Sequence, residues 1–284
     1  MNTPYFSIII PTLNEEQALP NLLSDLEHQS YQEFELFIVD GGSSDKTQSI
    51  VKDFQKSNSN TTLLTSTKQN VSHQRNLGAK KANGRYLIFL DADTRIPHYF
   101  LEGTHYQLIK EPADLWMYHT APLFDESESE LPHQVLNLRH DILAILGKPA
   151  IMEAAMGSKR EVFATLQGFS EEMVIAEGIE IMQRASQLGY SFAIFQDPEF
   201  HYSLRRYNKD GAFGIVLGTL PNEMRNLLGI KLNSKSRFYP MSGGTYYLDQ
   251  SRRNEKLNLS AEMKTQLQSI QKRIEESLKS FMQS

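Results

Sequence analysis

The chain has no cysteine, which excludes disulfides and thiolate-held metal sites. It has no surplus of positive charge either. Lys and Arg number 29 against 34 Asp and Glu, a net charge of −5, so no overall field draws nucleic acid and no such partner is expected. No apolar run approaches the roughly 18–20 residues that cross a bilayer. The first apolar segment begins four residues after the start, with no basic region or cleavage signal before it. No leader is therefore expected, and the expected location is the cytoplasm, with the inner face of the membrane as a variant. Internal repeats are lacking, and the one biased stretch is the acidic run 125–130, expected to be a loop. What remains is a chain of 284 residues whose 40% hydrophobic content can bury one sizeable core, a single domain with appendages.

Phe6-Ser-Ile-Ile-Ile10, stopped by Pro11, reads as a buried strand. Asn14, with Gln17 three residues on, has the form of a capping box ahead of the helical stripe Ala18, Leu19, Leu22, Leu23 and Leu26. A second strand, Glu35–Val39, ends at Asp40, and Gly41-Gly42-Ser43-Ser44-Asp45 turns the chain into another helix. A weaker strand is expected near Thr62–Leu64, and Tyr86–Leu90 is a further apolar strand. Strands alternating with helices through short connections predict an α/β fold with a parallel sheet. The Gly41–Asp45 segment is neither a P-loop nor a nucleophile elbow, since it lacks the Gly-Lys-Ser/Thr ending and the Gly-x-Ser-x-Gly spacing.

Asp91-Ala92-Asp93 follows directly on Tyr86–Leu90. Along an extended chain, residues two apart face one side. Both acids could then meet one ligand at the carboxyl end of a buried strand, where open α/β sheets place their sites. Carboxylates suit hard divalent ions that bridge to a diphosphate; the plainer reading is a helix cap or solvated turn. Arg75 offers a guanidinium that forks onto phosphate oxygens, or else is a solvated helix charge.

Four blocks together carry a family likeness: Ser7–Glu15, Ile38–Asp45, Arg75–Gly78 and Gly84–Thr94. In order and spacing they resemble a family-2 glycosyltransferase of GT-A fold, while Gly168-Phe169, Glu177–Arg184 and His201 match more loosely. The resemblance implies a three-layer α/β/α sandwich around a mostly parallel sheet, with a helical C-terminal extension. It also implies a nucleotide-diphosphate-sugar donor, Mn²⁺ or Mg²⁺, and inverting transfer to an unidentified hydroxyl acceptor. Carried over by position, Pro11, Asn14, Glu15 and Asp40 would line the nucleoside pocket. Arg75 would face the diphosphate, Asp91 and Ala92 the ribose or sugar side, and Asp93 the metal. His201 would join the metal or diphosphate, unless it is a structural histidine.

One departure stands out. In the resembled family the segment at 177 usually begins Glu-Asp, and the Asp takes the acceptor proton; here Gly178 stands in its place. Either Glu177 or Glu180 takes that role, Glu177 first, or the chain is a nucleotide-sugar-binding module or partner subunit of a glycan-synthesis complex. Glu177 is otherwise a first-turn acid favoured by the helix dipole. A sugar-phosphate nucleotidyltransferase would need a glycine-rich basic loop after the first strand, and Pro11–Glu15 is not one.

The expected organisation is a catalytic domain over 1–206, its nucleotide-binding half ending near 95 and its acceptor half covering 96–206. An extension over 207–250 and an amphipathic helix over 251–284 follow. Between 205 and 237 Arg205, Arg206, Lys209, Arg225, Lys231, Lys235 and Arg237 outnumber Asp210 and Glu223 beside apolar segments. That mixture suits an anionic membrane surface or lipid-linked acceptor, or else packs on the catalytic domain with its charges solvated. Met263, Leu267, Ile270, Ile274 and Phe281 form a short heptad-like stripe that either docks back on its domain or forms a homodimer.

Overall fold

The computed structural model of the chain describes residues 3–123, 130–173 and 177–202. Residues 125–129 of the acidic run, Arg205, Arg206 and the extensions 207–250 and 251–284 lie outside them, with the membrane-contact and dimer readings attached to those segments. Among the described residues no helix is long and apolar enough to cross a membrane.

β1 (Phe6–Thr12), β2 (Phe34–Asp40), β3 (Thr61–Thr65) and β4 (Tyr86–Leu90) alternate with α1 (Leu19–Glu27), α2 (Thr47–Phe54) and α3 (Val71–Lys81). Then α4 (Phe100–Lys110) leads to β5 (Leu115–Ala121), and α5 (Leu131–Ile145) to β6 (Ala155–Lys159). Finally α6 (Arg160–Thr165) and α7 (Glu177–Gln187) lead to β7 (Phe192–His201). The strands form one seven-stranded sheet in the order β3-β2-β1-β4-β6-β5-β7, in which β6 alone runs against its neighbours.

The three-layer packing follows from alternation along the strands. Ile8, Ile10, Leu36, Ile38, Ile88 and Leu90 face one layer, packing with Leu19, Leu22 and Leu26 of α1 and Phe100 and Leu101 of α4. Ile9, Phe37, Val39, Leu87 and Phe89 face the other, packing with Val162 and Phe163 of α6 and Ile181 and Met182 of α7.

Two local expectations are corrected. β1 does not stop at Pro11 but runs to Thr12. Pairing with β4 ends at Ile9↔Phe89 while pairing with β2 continues through Pro11↔Val39, so the missing N–H has only one neighbouring strand to serve. Asn14 does not cap α1, which starts five residues later with Pro20 in its first turn and no side-chain cap. The Asn14 carboxamide is instead taken by the loop after β2, as described below. β7 continues through Asp197-Pro198, across a cis peptide bond, with a register shift opposite Tyr118 and Thr120.

Helix α3 sits unusually close to the sheet. A Cβ on Gly78 would lie 2.5 Å from Ile9 Cγ2 and 3.2 Å from Val39 Cγ2, so only glycine permits this approach. Gly78→Ala should therefore lower stability by about 1–3 kcal/mol through overpacking, measurable by thermal or denaturant unfolding.

Candidate active site

β2 and β4 flank β1 in one parallel set, but the chain reaches them from opposite sides, so their carboxyl ends open a crevice at the switch point of the sheet. Asp40, fully buried at the end of β2, organises one wall. Its Oδ2 accepts from the Gly42 and Ser43 amides at 3.0 Å each and from Gln48 Nε2 at 2.7 Å. Its Oδ1 accepts from Ser43 Oγ at 2.5 Å and Thr12 Oγ1 at 3.3 Å. Asn14 crosses the same crevice with φ 55°, a left-handed conformation asparagine tolerates. Its amide donates to Ser43 Oγ at 2.8 Å and its Oδ1 accepts from the Ser44 amide at 2.8 Å. The Glu15 amide donates to Thr47 Oγ1 at 2.8 Å. Pro11, Asn14, Glu15 and Asp40 are thus brought together at the ends of β1 and β2. Gln74, absent from the sequence reading, joins these strands from below by donating to the Thr12 and Val39 carbonyls at 2.9 and 2.7 Å.

Arg75 lies at the centre of the second wall, on α3, whose first turn is capped by Asn70 accepting from the His73 amide. Only 2% exposed, the guanidinium meets three carboxyl-bearing residues from three other segments. Nη2 donates to Asp91 Oδ1 at 2.7 Å and to the Glu153 carbonyl at 3.3 Å, and Nη1 lies 3.6 Å from Glu177 Oε1. Phe169 covers it, 5.5 Å from the guanidinium carbon to the ring centroid. Burial alone disfavours the charged form, but Asp91, Glu177 and Glu153 more than offset it and hold the Arg75 pKa up. Three carboxyls around one guanidinium leave excess negative charge in a confined space. Burial, then the neighbouring Glu153, push Glu177 up to about 8. Burial also raises Glu153, against the opposing pull of Arg75.

Glu180 is placed apart from this cluster. Its carboxylate is forked by Arg184 at 2.7 and 2.6 Å, and Arg184 reaches on to the Leu166 and Gly168 carbonyls. Glu153, between α5 and β6, was not singled out from sequence. No motif surrounds it, and the only hint lay elsewhere, in the glycine at 178 whose missing side chain leaves room for another.

Asp91, Ala92 and Asp93 lie in a turn rather than on a continuing strand. Asp91 points to Arg75, Ala92 is buried, and Asp93 is partly exposed. An isolated bridge pairs Arg95 with His201, bringing the end of β7 beside this turn. His201 Nδ1 lies 2.7 Å from the Pro122 carbonyl; it must donate there, which makes Nε2 the lone-pair nitrogen, the arrangement metal-binding histidines use. Among the described residues no group of three or more His, Cys, Asp or Glu is arranged to hold a metal ion. One or two protein donors nevertheless fit an ion such as Mg²⁺ or Mn²⁺, whose remaining ligands come from substrate phosphates and water.

The sheet order, the crevice and the acids after β4 define the α/β architecture of a GT-A glycosyltransferase. The chain belongs to glycosyl transferase family 2, which it matches over residues 7–167. It is 39% identical over 103 residues to an uncharacterized glycosyltransferase of Haemophilus influenzae, a stretch covering 36% of this chain and 41% of that protein. It is 42% identical over 94 residues to a PGL/p-HBAD biosynthesis glycosyltransferase of Mycobacterium bovis, covering 33% of this chain and 37% of the relative. The matches thus span less than half of either relative's length. Among solved structures it is similar to S. aureus TarS 1–349 in complex with UDP-GlcNAc, with TM-score 0.56 and 22% identity over 70% of this chain and 58% of that one. It is also similar to the mannosyltransferase PcManGT from Pyrobaculum calidifontis in complex with GDP-Man and Mn²⁺, with TM-score 0.63 and 19% identity over 87% and 69% of the two chains. At these identities the structural likeness speaks for the fold.

Asp40→Asn would turn an amide NH₂ towards a ring of donors, and should lower stability by about 1–3 kcal/mol in denaturant unfolding. The acidic cluster predicts a pH dependence. The native state keeps a proton on Glu177 that the unfolded chain releases near the ordinary 4.5, so stability is full below that pH and falls as pH rises towards about 8. Unfolding free energies between pH 4.5 and 8 should therefore decline, by at most about 1.4 kcal/mol per pH unit for one proton, and Glu177→Gln should flatten the decline.

Proposed function

We propose that this chain transfers a sugar from a nucleotide-diphosphate sugar to a hydroxyl acceptor, by a single displacement that inverts the anomeric carbon. The observation that carries the proposal is the convergence of the β1, β2 and β4 carboxyl ends on one crevice, with the Asp40 loop on one side and the Asp91–Asp93 turn on the other, in a chain of this family. Pro11, Asn14, Glu15 and the loop held by Asp40 form the nucleoside pocket. Asp91 and Ala92 face the ribose and sugar. Arg75 acts beneath them: its buried guanidinium fixes the Asp91 carboxylate at 2.7 Å.

Asp93 and His201 are the donors that would hold Mn²⁺ or Mg²⁺, and the bound ion would supply Lewis-acid neutralisation of the departing diphosphate. The residues of this chain do the rest. The Asp40 loop and Asn14 hold the nucleoside, Asp91 orients the sugar, and a carboxylate of the Arg75 cluster takes the proton of the incoming hydroxyl. UDP-GlcNAc and GDP-Man occupy the similar structures, so uridine and guanosine donors are the first to try.

The test is nucleoside diphosphate release from UDP-GlcNAc, UDP-glucose and GDP-mannose with Mn²⁺, with and without a chelator. Chelator-sensitive release from at least one donor, reduced by about 100-fold or more in Asp93→Ala, is the expected result, an effect equal to about 2.7 kcal/mol of barrier. A chain that neither binds nor consumes any of these donors would overturn the proposal.

A further inference from the structure

Gly178 stands where the resembled family carries its proton-accepting Asp, and the structure fills that place from elsewhere. A Cβ built on Gly178 would lie 2.5 Å from Glu153 Oε1 and 2.8 Å from Glu153 Cδ, as well as 2.7 Å from the Ile151 carbonyl. The space a side chain at 178 would enter already holds a carboxyl group, delivered from the segment before β6. We propose that Glu153 is the general base of the transfer, the carboxylate having moved from the first turn of α7 to a neighbouring segment. This rests on the transferase reading above and specifies its proton acceptor.

Three observations support the assignment. Glu153 Oε1 accepts the Gly178 amide at 2.5 Å, which anchors the carboxyl at the positive end of α7. The backbone of Glu153 is tied to the sugar side of the crevice, since one Arg75 nitrogen bridges its carbonyl and the Asp91 carboxylate, and the Asp91 amide donates to the Ala154 carbonyl at 2.9 Å. Glu177, by contrast, is paired with Arg75, its Oε1 3.6 Å from Nη1. It serves instead to position Arg75 and the start of α7. Burial that raises the Glu153 carboxyl suits a group that must gain a proton at neutral pH.

The step balances. As the acceptor oxygen bonds to the anomeric carbon, its proton passes to Glu153. The bond from that carbon to the diphosphate oxygen breaks, and its electron pair leaves with the nucleoside diphosphate. Glu153 ends the cycle protonated and returns the proton to water. With water as acceptor the same step is donor hydrolysis, so the base can be tested without knowing the natural acceptor.

The plain rival is that Glu153 merely caps α7. Glu153→Gln separates the two, because glutamine keeps an oxygen for the Gly178 amide but cannot take a proton. Release of UDP or GDP from the donor panel with Mn²⁺ is measured for the wild-type chain, Glu153→Gln, Glu153→Asp and Glu177→Gln. Calorimetric affinity for UDP and GDP and thermal midpoints are measured alongside. The expected result is release about 10²–10⁴-fold slower in Glu153→Gln, with nucleotide affinity and thermal midpoint preserved. Glu153→Asp, which keeps a carboxylate drawn back by one methylene, should retain more activity than Gln. Wild-type release from Glu153→Gln, or equal loss in Gln and Asp, would overturn the base and leave the transferase reading standing. A wild-type chain inert towards every donor would overturn both.

Discussion

A buried guanidinium constrains most of this molecule. Arg75 is held inside, and an unpaired charge there is costly, so the surrounding segments must present oxygens to it. Asp91 arrives from the turn after β4, Glu177 from the start of α7, and the Glu153 carbonyl from the approach to β6. One side chain therefore fixes the relative positions of four segments far apart in sequence. Removing one member of such a buried group typically costs about 3–5 kcal/mol, because the others are left uncompensated. The crevice owes its shape to this arrangement as much as to the sheet beneath it.

The close approach of α3 makes the arrangement reachable. Gly78 lets the helix settle against Ile9, and Arg75, one turn earlier, then points towards the carboxyl end of β4. On the other side of β1, Asp40 does for backbone amides what the cluster does for a guanidinium, gathering donors from its loop into a fixed rim. The site is thus built between a buried guanidinium and a buried carboxyl group, each held by the segments it positions.

Much of the fold was legible in local pattern. Apolar runs rich in β-branched residues marked β1, β2 and β4, and the alternation with helices announced a parallel sheet, as found. β6 was not legible: Ala155-Met-Gly-Ser-Lys159 has little strand character and is made a strand by its neighbours, with Gly157 opposite Trp116. The capping-box reading of Asn14 failed because a local rule competed with a longer-range partner, Ser44, thirty residues away. Within the site, the acids after β4 and Arg75 were visible as motif residues. Glu153 was not, since its place depends on contact with residues 25 and 78 positions distant, which no local spacing encodes.

The contact between Glu153 and Gly178 also has an evolutionary side. The two positions exclude one another: an acid at 178 has no room while Glu153 keeps its place, and a shortened residue 153 would leave a void that glycine cannot fill. The two substitutions are therefore coupled, each altering the room left for the other. Position 178 taken by itself shows a missing acid, although position 153 puts a carboxyl into the same space.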